Sequence, residues 1–406
     1  LGLYAQDEWK AGSSVTVNLG VRYDLQLLET LDTDADNISP RAGFAWSPFE
    51  SRRTIVRGSA GLFYDRVPLR ALANALLSAG NTTVLANVAQ SSVSLSPAQS
   101  GAPAFPDTLD NVVPSVTLVN LTTMDRHLEN AYSRQASVEI EHQAGDNATV
   151  GLAYQYLRGK NLLMSINQNV PTCAASGTNN GCRPHAEYAN NNQYSSAGES
   201  NYHGLHVSFT QWPARWGHYR LSYTLSKTMN NVGEFFFSSP IDPSDLSKDW
   251  ARSDDDQRHR LVLSGALQTS SEPATTALQH LTHGFQVSAM LQAYSALPLN
   301  ITSGVTTIQG TAGRPVVNGE FIERNAGNGS EFFSLNLRVS RRFPLTDRVQ
   351  LEALVEGFNL TNHQNVLTRN GNFGPGAYPS DPSPTFGQVT AVGDLRAFQL
   401  GARIRF

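Results

Sequence analysis

No stretch of this sequence approaches the roughly 18 consecutive apolar residues of a membrane-spanning helix, which excludes an α-helical membrane protein. Charge is sparse: Asp, Glu, Lys and Arg supply 16% of the residues, against roughly a quarter in an average soluble domain. There is no basic excess either. The formal net charge is −4 and the isoelectric point about 6.2, so no nucleic-acid partner is indicated. The sequence has no H-E-x-x-H, G-x-S-x-G or phosphate-loop motif, and hence no sign of an enzyme or of a cofactor site. Cysteine is almost missing. Only Cys173 and Cys182 occur, flanking a small polar segment with Gly181 before the second. A disulfide closing this short loop is expected in an oxidising compartment, with two unpaired thiols as the alternative. Finally, no initiator Met and no charged-then-apolar leader precede Leu1. A cleaved mature start and a piece of a longer chain are both open readings, and the second is the expectation.

What is present is alternation. Phe398, Leu400, Ala402, Ile404 and Phe406 share one face of a final strand, with Gln399, Gly401, Arg403 and Arg405 on the other. The same period recurs in Val15, Val17, Leu19, Val21 and Tyr23, in Tyr219, Leu221, Tyr223 and Leu225, and in Phe333, Leu335, Leu337 and Val339. About thirteen such strands are expected, each near the length that a tilted strand needs to cross a bilayer. They pair across short turns such as 11–14, 48–53, 144–147, 213–216 and 343–347. Long connections near 65–131, 159–201, 230–257, 296–331 and 361–393 separate the pairs. Short turns on one side and long loops on the other are the pattern of an outer-membrane barrel. Residues 1–406 therefore read as one all-β, antiparallel transmembrane β-barrel domain. An odd strand count does not close such a barrel, so strands on the N-terminal side are expected to be missing.

Several side chains invite chemical readings. His203 and His206 fall on opposite faces of a strand, which argues against a metal pair. Asp242, Asp245, Asp249, Asp254, Asp255 and Asp256 cluster in one long loop but lack the ordered spacing of a calcium site. A solvated loop partly neutralised by Lys248, Arg252, Arg258 and Arg260 is the expectation. Arg338, Arg403 and Arg405 should face the lumen beside Glu352 and Glu356, as a salt-bridged wall or else as a substrate path or plug-docking surface. Trp9, Tyr23, Trp46, Tyr64, Tyr156, Trp212 and Tyr294 lie near strand ends, where an interfacial girdle would sit. Tyr188, Tyr194, Phe235, Phe236, Phe237, Trp250 and Tyr378 stand in the external loops, as a binding surface or as loop packing.

The segments YAQDEWK and VTVNLGVRYD (Tyr4–Lys10, Val15–Asp24) resemble a mid-barrel hairpin of TonB-dependent outer-membrane receptors. ISPRAGFAWSPF and GSAGLFYDR resemble the next hairpin. SYTLSK, DDQRHRLVLSGAL and EGFNLTNHQN resemble the Oar-like subgroup, and FGQVT with the terminal LGARIRF resembles its closing segment. The resemblance implies a barrel of roughly 22 strands plugged by an N-terminal domain, of which this chain would supply about thirteen C-terminal strands without plug or TonB box. It implies a Gram-negative outer membrane, and energised uptake of an unidentified external ligand. The implied partners are outer-membrane lipid, the TonB complex acting through the missing plug, and the barrel assembly machinery. For the last of these, Phe398, Leu400, Ile404 and Phe406 would form the C-terminal signal. The competing expectations are a passive porin or structural outer-membrane barrel, and a secreted soluble all-β adhesin or carbohydrate-binding protein.

Overall fold

The computed structural model describes all but residues 29, 80–119, 174–180, 187, 215, 234–238, 271–274, 308–310 and 347. Thirteen strands follow one another in a single antiparallel path. They are β1 (Gly2–Lys10), β2 (Val15–Asp24), β3 (Ile38–Trp46), β4 (Thr54–Tyr64), β5 (Tyr132–Ala144), β6 (Ala148–Asn167) and β7 (Asn191–Ala214). Then come β8 (Gly217–Asn230), β9 (His259–Gln268), β10 (Phe285–Tyr294), β11 (Phe332–Pro344), β12 (Gln350–Phe358) and β13 (Ala397–Arg405). Every neighbour in the sheet is also the neighbour in sequence, as hairpins of an up-and-down wall require. The path is open between β1 and β13. No helix among the described residues is long and apolar enough to cross a membrane; the strands are what cross.

Register carries the alternation from strand to strand, because directly paired residues share a face. Leu221, Leu263, Leu291 and Leu335 form one cross-sheet row on β8 to β11. Leu351 pairs with Ile404 and Val355 with Leu400 on the same face. Many of these side chains are exposed, including Leu400, Ile404, Leu152 and Val138. In water such a surface would be a large apolar patch; facing acyl chains it is the solvated side of the protein. The opposite face bears Arg, Glu, Gln and Ser. Phe44 lies flat over Gly58, where a Cβ would meet the ring at 2.4 Å, so that glycine admits the ring to the outward face. Asp7 interrupts the outward face of β1, paired with Leu19, and nothing in the structure explains it.

Two strands run beyond the wall. β6 has 20 residues and β7 has 24, about twice what a bilayer needs. A bulge between Gly159 and Leu162 marks the exit, with Asn161 in the left-handed region at φ 56°, a conformation that Asn tolerates better than most residues. Beyond it, Leu121–Met124 adds a parallel strand to Asn191–Tyr194. Helix α1 (Leu69–Ala79) packs there. Ala71 and Ala75 of α1 join Leu31, Val67, Met124, Leu128 and Tyr194 in a small core outside the barrel. Near the turn side, α2 (Ala277–Thr282) starts with a capping box between Thr276 and Gln279.

Candidate functional site: the lumen wall and the external loops

On β11 to β13 the polar face is built around one carboxylate. Glu352, 6% exposed, accepts from Arg338 at 3.3 Å and from Arg405 at 3.2 Å, with Arg403 at 4.0 Å. Arg338 also reaches Glu356 at 3.6 Å. These are the five charges singled out from the sequence. Register places them together, since Arg338 pairs with Glu356 and Glu352 with Arg403. A similar cross-strand set stands on β4 and β5, where Arg57 lies 3.9 Å from Glu139 and 3.3 Å from Glu141. Removing Glu352 would leave three guanidinium groups facing one another. Glu352→Ala is expected to lower unfolding stability by about 2 kcal/mol, read as a shifted denaturant midpoint in detergent, while Glu356→Ala should cost less because among the described residues it pairs with Arg338 alone.

Above the wall the loops are joined by buried polar groups. Arg314 pairs with Asp249 at 3.2 Å, with both side chains almost completely buried. Asp249 also accepts from the Ile241 amide at 2.8 Å. Arg324 donates to the Asp249 carbonyl, to Asp254 at 3.3 Å and to the Asn230 carbonyl. Asn325 bonds Asp254 at 2.7 Å and the Arg252 carbonyl at 2.8 Å. Burial pushes both Arg314 and Arg324 below the usual guanidinium range, opposed by the nearby carboxylates. The 230–257 and 296–331 loops are thus tied by charged groups withdrawn from water, an arrangement that costs heavily when one partner is lost.

This corrects the reading of the acidic cluster as solvated. Asp249 and Asp256 are buried, and Asp256 holds the Thr228 amide at 2.7 Å and Arg258 at 3.1 Å. Asp242 is held by Lys248 at 2.6 Å and by Ser244. Of the four cations expected to neutralise the loop, two do something else. Arg252 donates to the Asn325 and Gly327 carbonyls and to Asn328, and Arg260 lies over the Tyr294 ring at 4.5 Å. Among the described residues no group of three or more His, Cys, Asp or Glu is placed to hold a metal ion.

The Lys248 hydrogen bond, helped by Ser244, lowers Asp242 from 3.8 to about 2. A depressed carboxyl stabilises the fold above its unfolded value and loses that contribution as pH falls through its folded one. The 242–248 turn should therefore loosen between about pH 4 and pH 2, seen as loss of amide protection there, and Lys248→Met, which removes the main cause of the depression, should narrow that window from its acid end and reduce the size of the change.

A second polar hub ties Asn169 to the 185–189 stretch. Asn169 is fully buried and donates to the carbonyls of His185, Tyr188 and Ala189 while accepting from the His185 amide. Cys173 and Cys182 are joined by a disulfide, Cα to Cα 5.8 Å, and the Thr172 amide donates to the Cys182 carbonyl at 2.8 Å. The NLTNHQN segment after β12 works similarly. Asn359, at φ 45°, donates to the His363 and Asp394 carbonyls. Asn365 brackets Phe333 through both its amide and its carbonyl, so a side-chain amide takes the place of the next strand's backbone.

Aromatic positions divide. Trp9 and Trp46 face outward, as their pairing with Val17 and Val15 requires. Tyr294 does not: it pairs with Arg260 and stacks on Phe332 at 5.2 Å, on the polar face. In the loops, Tyr188 and Tyr194 are buried, and Tyr378 meets Phe373 edge-on at 5.0 Å, so these three are loop packing. Trp250 remains exposed. Phe235, Phe236 and Phe237 lie outside the described residues. His203 and His206 point to opposite faces, bonding Tyr154 and Thr224 respectively.

This geometry is that of a family. Residues 27–321 match the outer membrane beta barrel domain family. The chain belongs to that family. As an outer-membrane barrel it is similar over 74 residues, at 38% identity, to the TonB-dependent transporter Oar of Myxococcus xanthus, a match covering 17% of this chain and 7% of Oar. Its fold resembles the outer membrane transporter YddB from Escherichia coli, with TM-score 0.63 and 14% identity over all of this chain and 44% of the other. It also resembles the ferric enterobactin receptor PfeA of Pseudomonas aeruginosa, with TM-score 0.54 and 14% identity over all of this chain and 44% of the receptor. The barrel chain thus spans less than half the length of these relatives. They are transporters and receptors rather than enzymes, and the match places the barrel in the outer membrane. The secreted soluble adhesin is thereby set aside.

Sequence reasoning missed Arg314, Arg324, Asn169 and Asn325. Each lies in a loop with no period to mark it, and its partners stand far away in sequence.

Proposed function

We propose that this chain is the C-terminal barrel portion, one domain over residues 1–406, of a TonB-dependent transporter that takes up an external ligand by energy coupled from the inner membrane. The observation that supports it most is the pairing of a polar, ion-paired interior face with long external loops fixed to one another by buried charges, in a chain whose whole length superposes on solved outer-membrane transporters. In this reading the loops capture the ligand and the wall of Arg338, Glu352, Glu356, Arg403 and Arg405 lines the path or holds a plug domain. The plug would be contributed by the portion of the relatives that this chain does not span, and would contact TonB. Phe398, Leu400, Ile404 and Phe406, on the outward face of β13, would be read by the barrel assembly machinery.

The test uses the full-length protein. Planar-bilayer recording should show a closed barrel, and the purified periplasmic domain of TonB should bind it. Steady ohmic conductance with no TonB binding would establish the passive porin instead.

A further inference from the structure

The outward face changes character at one level, and on only part of the wall. Along β5 to β9 the apolar side chains give way, toward the loop side, to Arg134, Arg158, Lys160, His203, Lys227 and His259. Register sets them side by side. Arg134 pairs with Arg158, and Arg158 with Asn201. One step nearer the membrane centre, Tyr156 pairs with His203 and His203 with Lys227. Elsewhere the corresponding end of the outward face carries Leu3, Tyr23, Ile38, Ala293, Phe333 and Phe398. The cations therefore form a patch, not a belt.

Height fixes what the patch meets. Ala148 to Arg158 on β6 is ten steps, about 33 Å along the strand. At the usual tilt of about 40° this rises about 25 Å, the height of a barrel's apolar band. Arg158 and its neighbours thus stand where the acyl chains end and the outer headgroups begin. Below them the same strands turn out Val138, Ile140, Leu152, Leu205 and Val207.

The patch is short of anions. Glu199, the only carboxylate that β5 to β8 turn outward, is shared by Arg158 at 3.4 Å and by Lys160. Arg134 rests 5.8 Å above the Tyr132 ring and approaches its hydroxyl at 3.5 Å. Neither Arg134 nor Lys227 has a carboxylate within ion-pair distance among the described residues. Phenol–imidazole pairs fix the level between them: Tyr154 to His203 at 2.7 Å and Tyr223 to His259 at 2.9 Å. Arg134 and Lys227 stand three strand spacings apart, about 15 Å, with apolar wall beneath and hydroxyls between.

We propose that this patch binds a phosphorylated glycolipid of the outer leaflet, with Arg134, Arg158 and Lys227 holding its phosphates and the Tyr154, Leu205 and Val207 surface receiving its acyl chains. Guanidinium and ammonium groups pair most strongly with phosphate when water is scarce. A patch with surplus positive charge above an apolar wall is complementary to a lipid that is anionic at its head and apolar in its tails.

The experiment uses the full-length protein reconstituted in phosphatidylcholine vesicles containing one-tenth bisphosphorylated lipid A, followed by detergent extraction and native mass spectrometry. The wild type should retain lipid A, and the R134Q/R158Q/K227Q variant should retain at least tenfold less. R341Q, an outward arginine at the opposite rim, should behave as wild type. Dephosphorylated lipid A should not be retained, and millimolar inorganic phosphate should not displace the phosphorylated form. Equal retention by the triple variant, equal retention of the dephosphorylated lipid, or displacement by free phosphate would overturn the proposal. Heat-modifiable migration in gels reports whether the triple variant folds; if it does not, the wild type's discrimination between the two lipids decides.

Discussion

Leu263→Arg should destabilise the barrel by about 2–4 kcal/mol, the cost of an arginine deep in the lipid-facing band, whereas Val262→Arg should change stability by less than about 1 kcal/mol. The two positions are adjacent in sequence and opposite in space. Leu263 sits in the leucine row with Leu221 and Leu291. Val262 pairs with Ser222 and Gln292 on the polar face, where a guanidinium keeps its water. Equilibrium folding into lipid vesicles, followed by tryptophan fluorescence, measures both. Equal costs at the two sites would mean that the strand register or the assignment of faces is wrong. The contrast depends on β9 alone, so it tests the membrane reading without any knowledge of the ligand.

The second large effect is expected in the loops. Asp249→Ala leaves Arg314 buried without its carboxylate, a loss of about 3–5 kcal/mol by analogy with other broken buried pairs. It also frees the Ile241 amide that Asp249 holds. Hydrogen exchange should accelerate at least about 100-fold in both 239–252 and 311–325, with β8 and β11 little affected. Replacing both partners by apolar residues, Asp249→Leu with Arg314→Met, should restore much of the protection, because no uncompensated charge remains. Acceleration confined to 239–252 would show that the pair does not join the loops. Arg324, which reaches the same aspartate's carbonyl, makes some coupling to Asn230 expected as well.

The wall was legible from sequence because lipid on one side and polar groups on the other impose a period of two. Val15 to Tyr23 and Phe398 to Ile404 announce their strands. The same physics explains where reading stopped. Beyond Gly159 the hairpin of β6 and β7 leaves the bilayer and no longer sets lipid against lumen: Met164 and Ile166 pack with Val232 in a small core, residues 191–201 are mostly polar, and 159–167 and 191–201 read as loop although they are strand. Tyr294 has the composition of a girdle residue, yet its direction is settled by parity with Arg260, not by its position near a strand end. α1 left a usable signal: Pro68 at its start and apolar residues spaced by three or four, Leu72, Ala75 and Leu76. The buried loop charges left none. Nothing local distinguishes Asp249 from Asp255, and only the arrival of Arg314 from 65 residues away decides which is withdrawn from water.

The overrun of β6 and β7 shapes more than the loop core it supports. Strands of 20 and 24 residues share one sheet with others of nine, with strands of 13 and 14 between them and the rest, so the described rim is cut at a slant. One flank is a parapet, backed by α1 and the Leu121–Met124 strand. Of the described strand ends, those of β6 and β7 stand farthest out, well above the ends of β1, β3 or β12. That step in the rim is set by strand length rather than by charge.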